Sequence, residues 1–136
     1  MKSLGYVCAL LVCWIGIADI VFAREQKTES LVAAIAQHAQ KVHVEGQGVV
    51  AKILADDNDG SRHQKFIIRT PEGTSILIAH NIDIANRVEN LKQSDKVEFS
   101  GEYIWNEKGG VVHWTHHDPR GRQQAGWLKH KGVTYQ

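Results

Sequence analysis

The chain has 136 residues, with 16 lysines and arginines against 15 aspartates and glutamates and a formal net charge of +1. A nearly neutral chain of this length is not an electrostatic nucleic-acid binder by composition, and it has room for one small domain rather than two. No internal repeat or low-complexity stretch is visible.

The first 23 residues read as a secretory signal. Lys2 supplies a short positive region, and an apolar run from Leu4 to Phe22 follows, interrupted only by Asp19. The run closes on Val21-Phe22-Ala23, so cleavage is expected after Ala23. The run is close to the ~20 residues that a membrane span needs. Asp19 and the small residue at the cleavage position argue against an anchor, so no stable span is expected after cleavage. Lipid attachment at Cys13 is disfavoured because Val12 precedes it, where a small residue is wanted. Both cysteines, Cys8 and Cys13, lie in this segment. The mature chain is therefore expected to carry no disulfide, no zinc–thiolate site and no thiol nucleophile. The expected compartment is the periplasm or the exterior.

Residues 24–42 have a helical pattern. Leu31, Ala34, Ile35 and His38 fall at i, i+3, i+4, i+7, with Ser30 a candidate cap. The domain expected over residues 43–136 is built of short strands. The first runs from Val44 to Ala55 and ends at the turn cluster Asp56-Asp57-Asn58-Asp59-Gly60. That cluster lacks the later glutamate and flanking helices of a calcium loop and reads as a polar turn. The second strand, Arg62 to Thr70, places Gln64, Phe66 and Ile68 on one face and His63, Lys65, Ile67 and Arg69 on the other. Pro71-Glu72-Gly73 is a turn, and Ser75 to His80 is the third strand. Ile82 to Leu91 is expected as a short helix. The fourth strand, Lys96 to Trp105, aligns Val97, Phe99, Gly101 and Tyr103 on one face, with the glycine where a small barrel must bend. Asn106 to Gly110 is a hairpin turn, Val111 to Thr115 a fifth strand, and Gly126 to Tyr135 a last extended piece turning at Lys131-Gly132.

The expected fold is mainly β. It is a small OB-like Greek-key barrel of five strands with a helix between strands three and four, preceded by an N-terminal helix. Several pieces carry a resemblance to a known family: Ser61-Arg62-His63-Gln64-Lys65-Phe66, Ile78-Ala79-His80-Asn81-Ile82-Asp83, Gly101-Glu102-Tyr103, and the run from Gly109 to Pro119. On these the chain resembles a family of short exported bacterial proteins catalogued as domain of unknown function 3465. The resemblance covers roughly residues 44 to 136 and implies export without implying a reaction. In that family a histidine can precede the Gly-Trp pair, whereas here Gln123-Gln124-Ala125 leads into Gly126-Trp127.

The densest functional motif is His113-Trp114-Thr115-His116-His117-Asp118, closed by Pro119. Neutral imidazole is a common metal ligand, and a His–His–carboxylate set suits a divalent transition metal such as zinc, nickel or copper. His63, His80, His113, His117 and Asp118 are the candidate ligands, and the four histidines are expected to converge on one polar pocket beside Trp114. The competing readings are a solvated His63, a His80 bonded to backbone, and a turn capped by Asp118. No nucleophile elbow, Walker A loop or His-Glu-x-x-His helix is present.

An exported binding module is the leading functional expectation. Its ligand would be a small molecule, an oligosaccharide or an oligonucleotide held by His63, Lys65, Arg69, His80, Trp105, His113 and Trp114. The alternatives are a metal-dependent phosphodiesterase or nuclease using the histidine cluster and a structural or stress-response exported protein.

Overall fold

The computed structural model describes residues 28–136. The apolar N-terminal run and the expected cleavage position lie outside the described residues. The elements are β1 (Glu29–Ser30), α1 (Leu31–Ala36), β2 (Gln40–Ile53), β3 (His63–Arg69), β4 (Ser75–Asn81), β5 (Lys96–Ile104), β6 (Val111–His113), β7 (Trp127–His130) and β8 (Val133–Tyr135). No helix among the described residues is long and apolar enough to cross a membrane.

Strands β2 to β6 are the five expected strands, and they close on themselves. The order around the barrel is β2-β3-β4-β6-β5, with β5 returning to β2. All neighbours are antiparallel except β4 and β6, which run parallel. The fold is therefore a closed five-stranded mixed barrel. β2 closes it by serving two partners, pairing with β5 from Gln40 to Val49 and with β3 from Val49 to Ile53. Register shifts at Lys41 and Ala51 bend the strand between these tasks, and Lys41 takes φ 57°.

Period-two alternation decides which residues fill the barrel. Val44 and Val50 from β2, Phe66 and Ile68 from β3, Ile76 and Ile78 from β4, Val97, Phe99 and Tyr103 from β5 and Val112 from β6 are all buried. Each such side chain contributes roughly 1.5–3 kcal/mol on burial. Gly101 belongs to this inner face for a steric reason: a Cβ there would lie 2.5 Å from the His113 carbonyl oxygen. The expected alternation on β3 and β5 is thus the alternation found.

Two helical expectations are corrected. Residues 24–42 do not form one helix where they are described. Helix α1 covers only Leu31–Ala36, capped by Ser30, and His38 leaves the helical region at φ 52° before β2 begins at Gln40. The segment 82–95, expected to hold a helix from Ile82 to Leu91, is a chain of turns. Its backbone groups are claimed by distant partners. The Asn86 carbonyl accepts from His80 Nε2 at 3.0 Å, and Gln64 bonds both the N–H and the C=O of Val88 at 2.9 and 3.1 Å. Asp83 accepts from the Arg62 N–H and Nε. A helix would have to surrender these bonds.

The last piece is a hairpin. β7 adds to β5 and β8 to β7, and Lys131 and Gly132 both take positive φ, as a two-residue hairpin turn requires. His130 Nε2 lies 2.8 Å from Asp95 Oδ2 and ties the hairpin to the turn before β5.

Candidate functional site

Successive residues of β3 and β4 point to opposite sides of the barrel wall. Gln64 and His80 are Cα partners and face inward, whereas His63, Lys65, Ile67 and Arg69 face outward. The predicted site residues are divided by this alternation.

His80 is fully buried. Its Nε2 donates to the Asn86 carbonyl and its Nδ1 accepts from the Thr115 hydroxyl at 2.7 Å. Burial is the main reason that its pKa falls to about 4, with the nearby imidazoles of His116 and His63 adding to the effect. It is a neutral side chain with both ring nitrogens occupied. Thr115, adjacent to it, is also fully buried.

His113 lies on the outer face of β6. Its Nε2 meets Glu102 Oε1 at 2.9 Å, across the β5–β6 register. Glu102 is also the Cα partner of His43 on β2, so His43, Glu102 and His113 form one lateral row over three strands. His43 Nε2 bonds Ser100 Oγ at 2.7 Å, and partial burial holds its pKa below the ordinary histidine value. Strand β6 ends at His113 because Trp114 adopts φ 54°. The expected extension to Thr115, which would have kept His113 and His117 on one strand face, does not occur.

Asp118 caps a loop. Its carboxylate accepts from the backbone N–H groups of Arg120, Arg122 and Gln123 at 2.9, 2.8 and 2.9 Å, and these bonds hold its pKa below the usual carboxylate range. His117 is exposed beside it. Trp114 stands between two imidazoles, with ring centroids 6.4 Å from His113 and 5.4 Å from His116. Trp105 is elsewhere: it stacks on His38 at 3.7 Å and 14° and packs against the core.

The predicted metal set is therefore not gathered at one point, and among the described residues no three histidine or carboxylate groups are placed to hold a metal ion. Two imidazoles remain: His116, which lies in the motif but outside the candidate ligand set, and His63, which was a candidate. His116 is buried at the barrel end, with Nδ1 2.7 Å from the His117 carbonyl. His63 makes the same kind of bond, Nδ1 to the Ser61 carbonyl at 2.8 Å.

Cations collect on the outside of β2 and β3. Val49 is the Cα partner of both Arg69 and Lys96, and Lys52 is the partner of Ile67. Lys52, Lys65 and Arg69 form no ion pair among the described residues. Lys96 approaches Glu98 only at 3.8 Å. A shallow groove of about 280 Å³ runs over Gly48 and the exposed Val49 between Arg69, Pro71 and Lys96. Beside it, half-buried Ile67, Leu77, Val111 and Ile104 align across β3, β4, β6 and β5. Lys52 and Lys96 could have been found from the same alternation that singled out Lys65 and Arg69, extended to the first and fourth strands.

A search of curated proteins gave no match. Residues 10–136 match the family described as "Protein of unknown function (DUF3465)", and the chain belongs to that family.

Proposed function

We propose that the barrel is of the OB type and that the chain is an exported binding module for an elongated anionic ligand. The observation that carries the reading is the set of three cations, Lys52, Lys65 and Arg69, that share the outer face of β2 and β3 with no acidic partner among the described residues. OB-type barrels bind oligonucleotides and oligosaccharides over their second and third strands, which here are β3 and β4. The half-buried row from Ile67 to Ile104 supplies an apolar floor, and the groove beside Arg69 supplies a shallow end stop. Cations that lack internal partners keep their full attraction for a ligand. His63 sits at the start of the same strand face, and His113 and Trp114 form its far rim.

A fluorescein-labelled single-stranded oligonucleotide and a sulfated oligosaccharide are the probes, each followed by anisotropy at low salt. Three phosphate contacts correspond to a slope of about −2 in log K against log salt, at ~0.7 per contact. The Lys65→Ala/Arg69→Ala double variant should reduce that slope to about −0.7. No anisotropy change with either probe would remove the proposal. The export component rests on the apolar run closed by Val21-Phe22-Ala23. Mass spectrometry of the exported protein should find an N-terminus at or near Arg24, and a full-length chain retained in the membrane would refute it.

A further inference from the structure

The outward side chains of the barrel are sorted by register into rows that cross its wall, and one row is aliphatic. Ile67 on β3 is the Cα partner of Leu77 on β4, Leu77 of Val111 on β6, and Val111 of Ile104 on β5. At a strand spacing of about 4.8 Å, the row is about 14 Å long. All four side chains are half-buried. The half-buried apolar side chains that pack against the core are Ile35, Ala39, Val42, Leu91 and Trp105, so the row stands apart from the core. A strand with one solvated face is expected to turn polar residues to water. This row breaks that pattern on four neighbouring strands.

Charge is distributed unevenly along the row. Ile67 has a cation on three sides: Lys52 is its Cα partner on β2, and Lys65 and Arg69 stand two residues away on its own strand face. None of the three forms an ion pair among the described residues. At the opposite end, Ile104 has Glu102 two residues away, and Glu102 is engaged by His113 at 2.9 Å. An anionic head is therefore attracted to the β3 end, and an uncharged tail fits the rest. Apart from His63, no outward side chain of β3 or β4 carries a ring. A base has little to stack on here, although stacking is what holds single-stranded nucleic acid beyond its phosphates. Aliphatic surface without rings suits an alkyl chain.

We propose that the ligand of this face is a single-chain anionic amphiphile bound as a monomer. Its phosphate or carboxylate head lies among Lys52, Lys65 and Arg69, and its alkyl chain lies along Ile67, Leu77, Val111 and Ile104. The inference rests on the anion-binding reading above and adds the chemistry of the tail. A bilayer is a poorer fit. Surfaces that bind one push apolar side chains several ångströms into the headgroup boundary, whereas these side chains are half-buried in the barrel wall.

The test titrates hexyl, octyl and decyl phosphate, each below its micelle concentration, into the full chain and its Leu77→Thr/Val111→Thr variant by calorimetry. Both proteins share the apolar N-terminal run, so the difference between them reports the barrel wall. Threonine keeps the strand preference at these outward positions, and circular dichroism checks the fold. In the parent, affinity should rise about two-fold per methylene, half the burial free energy of a fully enclosed methylene. From hexyl to decyl phosphate that is roughly 15-fold, and the variant should keep no more than about 4-fold. Lys65→Ala/Arg69→Ala should weaken all three ligands by one common factor and leave the rise with chain length intact. Equal chain-length dependence in the parent and the threonine variant would overturn the inference. Binding of the labelled oligonucleotide with no effect of alkyl length would also overturn it, while leaving the anion-binding reading in place. No binding of any anionic probe would remove both. Binding to anionic phospholipid vesicles with no monomer bound would overturn the inference in favour of a membrane contact.

Discussion

The inner and outer faces of β3 and β4 are separated by a single residue step, yet they treat polar groups in opposite ways. Inside, Gln64 and His80 give every side-chain nitrogen and oxygen a protein partner in the 82–95 turns or on Thr115. Outside, Lys65 and Arg69 have no ionic partner among the described residues. The lesson is that polarity alone does not mark a functional residue in this barrel. A buried polar group with its bonds made internally holds the fold, because leaving such bonds unmade costs about 1–3 kcal/mol each. An outward group without a partner is available to a ligand.

The largest expected effect is on the inner side, and it depends on pH. The folded pKa of His80, about 4, lies below the ordinary value of 6.5, so the unfolded chain takes up the proton first. Its contribution is present in full above pH 6.5 and is lost as pH falls from there to about 4. The loss amounts to roughly 3 kcal/mol, at ~1.4 kcal/mol per pKa unit. Urea unfolding at pH 7 and pH 4 should show a smaller drop for His80→Gln than for the parent. Parallel drops would remove His80 from the inner network's account.

A smaller effect tests adjacent residues against each other. Gln64→Ala leaves the N–H and C=O of Val88 without their partner, at about 2 kcal/mol, or a fall in Tm of roughly 10 °C. Lys65→Ala, one position on, should change stability by less than about 0.5 kcal/mol. Equal losses in the two variants would erase the contrast between the faces.

Asp118→Ala should act locally. The amides of Arg120, Arg122 and Gln123 lose their common acceptor and should exchange hydrogen faster, while the barrel amides keep their protection. Faster exchange throughout β3 and β4 would mean that the loop supports the barrel rather than itself. The smallest effect concerns the outer row. A double-mutant cycle between Glu102 and His113 should give a coupling of about 0.2–1 kcal/mol, the range of partly exposed pairs. A coupling well above this would place the row with the inner network.

Much of the barrel was legible along the chain because strand faces follow from period-two alternation and strand ends from turn chemistry. Gln64, Phe66 and Ile68 were assigned to one face and are buried. Asn106 and Asp57 were placed in turns, and their side chains accept from backbone N–H groups two residues on. The segment 82–95 was misread because its local composition allows a helix, whereas its backbone partners, Gln64 and His80, lie on other strands. The net charge of +1 likewise concealed the clustering of Lys52, Lys65 and Arg69, since composition averages over faces that the barrel separates.

By itself, the sequence determined which side chains alternate inward, where the chain turns and which segment holds the histidine motif, all of which depend on residues within a few positions of one another. Tertiary structure decided how each imidazole is used. His80 is sealed by Thr115 and Asn86, His113 is paired with Glu102, and His63 and His116 each bond a backbone carbonyl through Nδ1. Hydrogen-bond partners 35, 11 or 6 residues apart are chosen by barrel closure and register, and a local pattern carries no record of them.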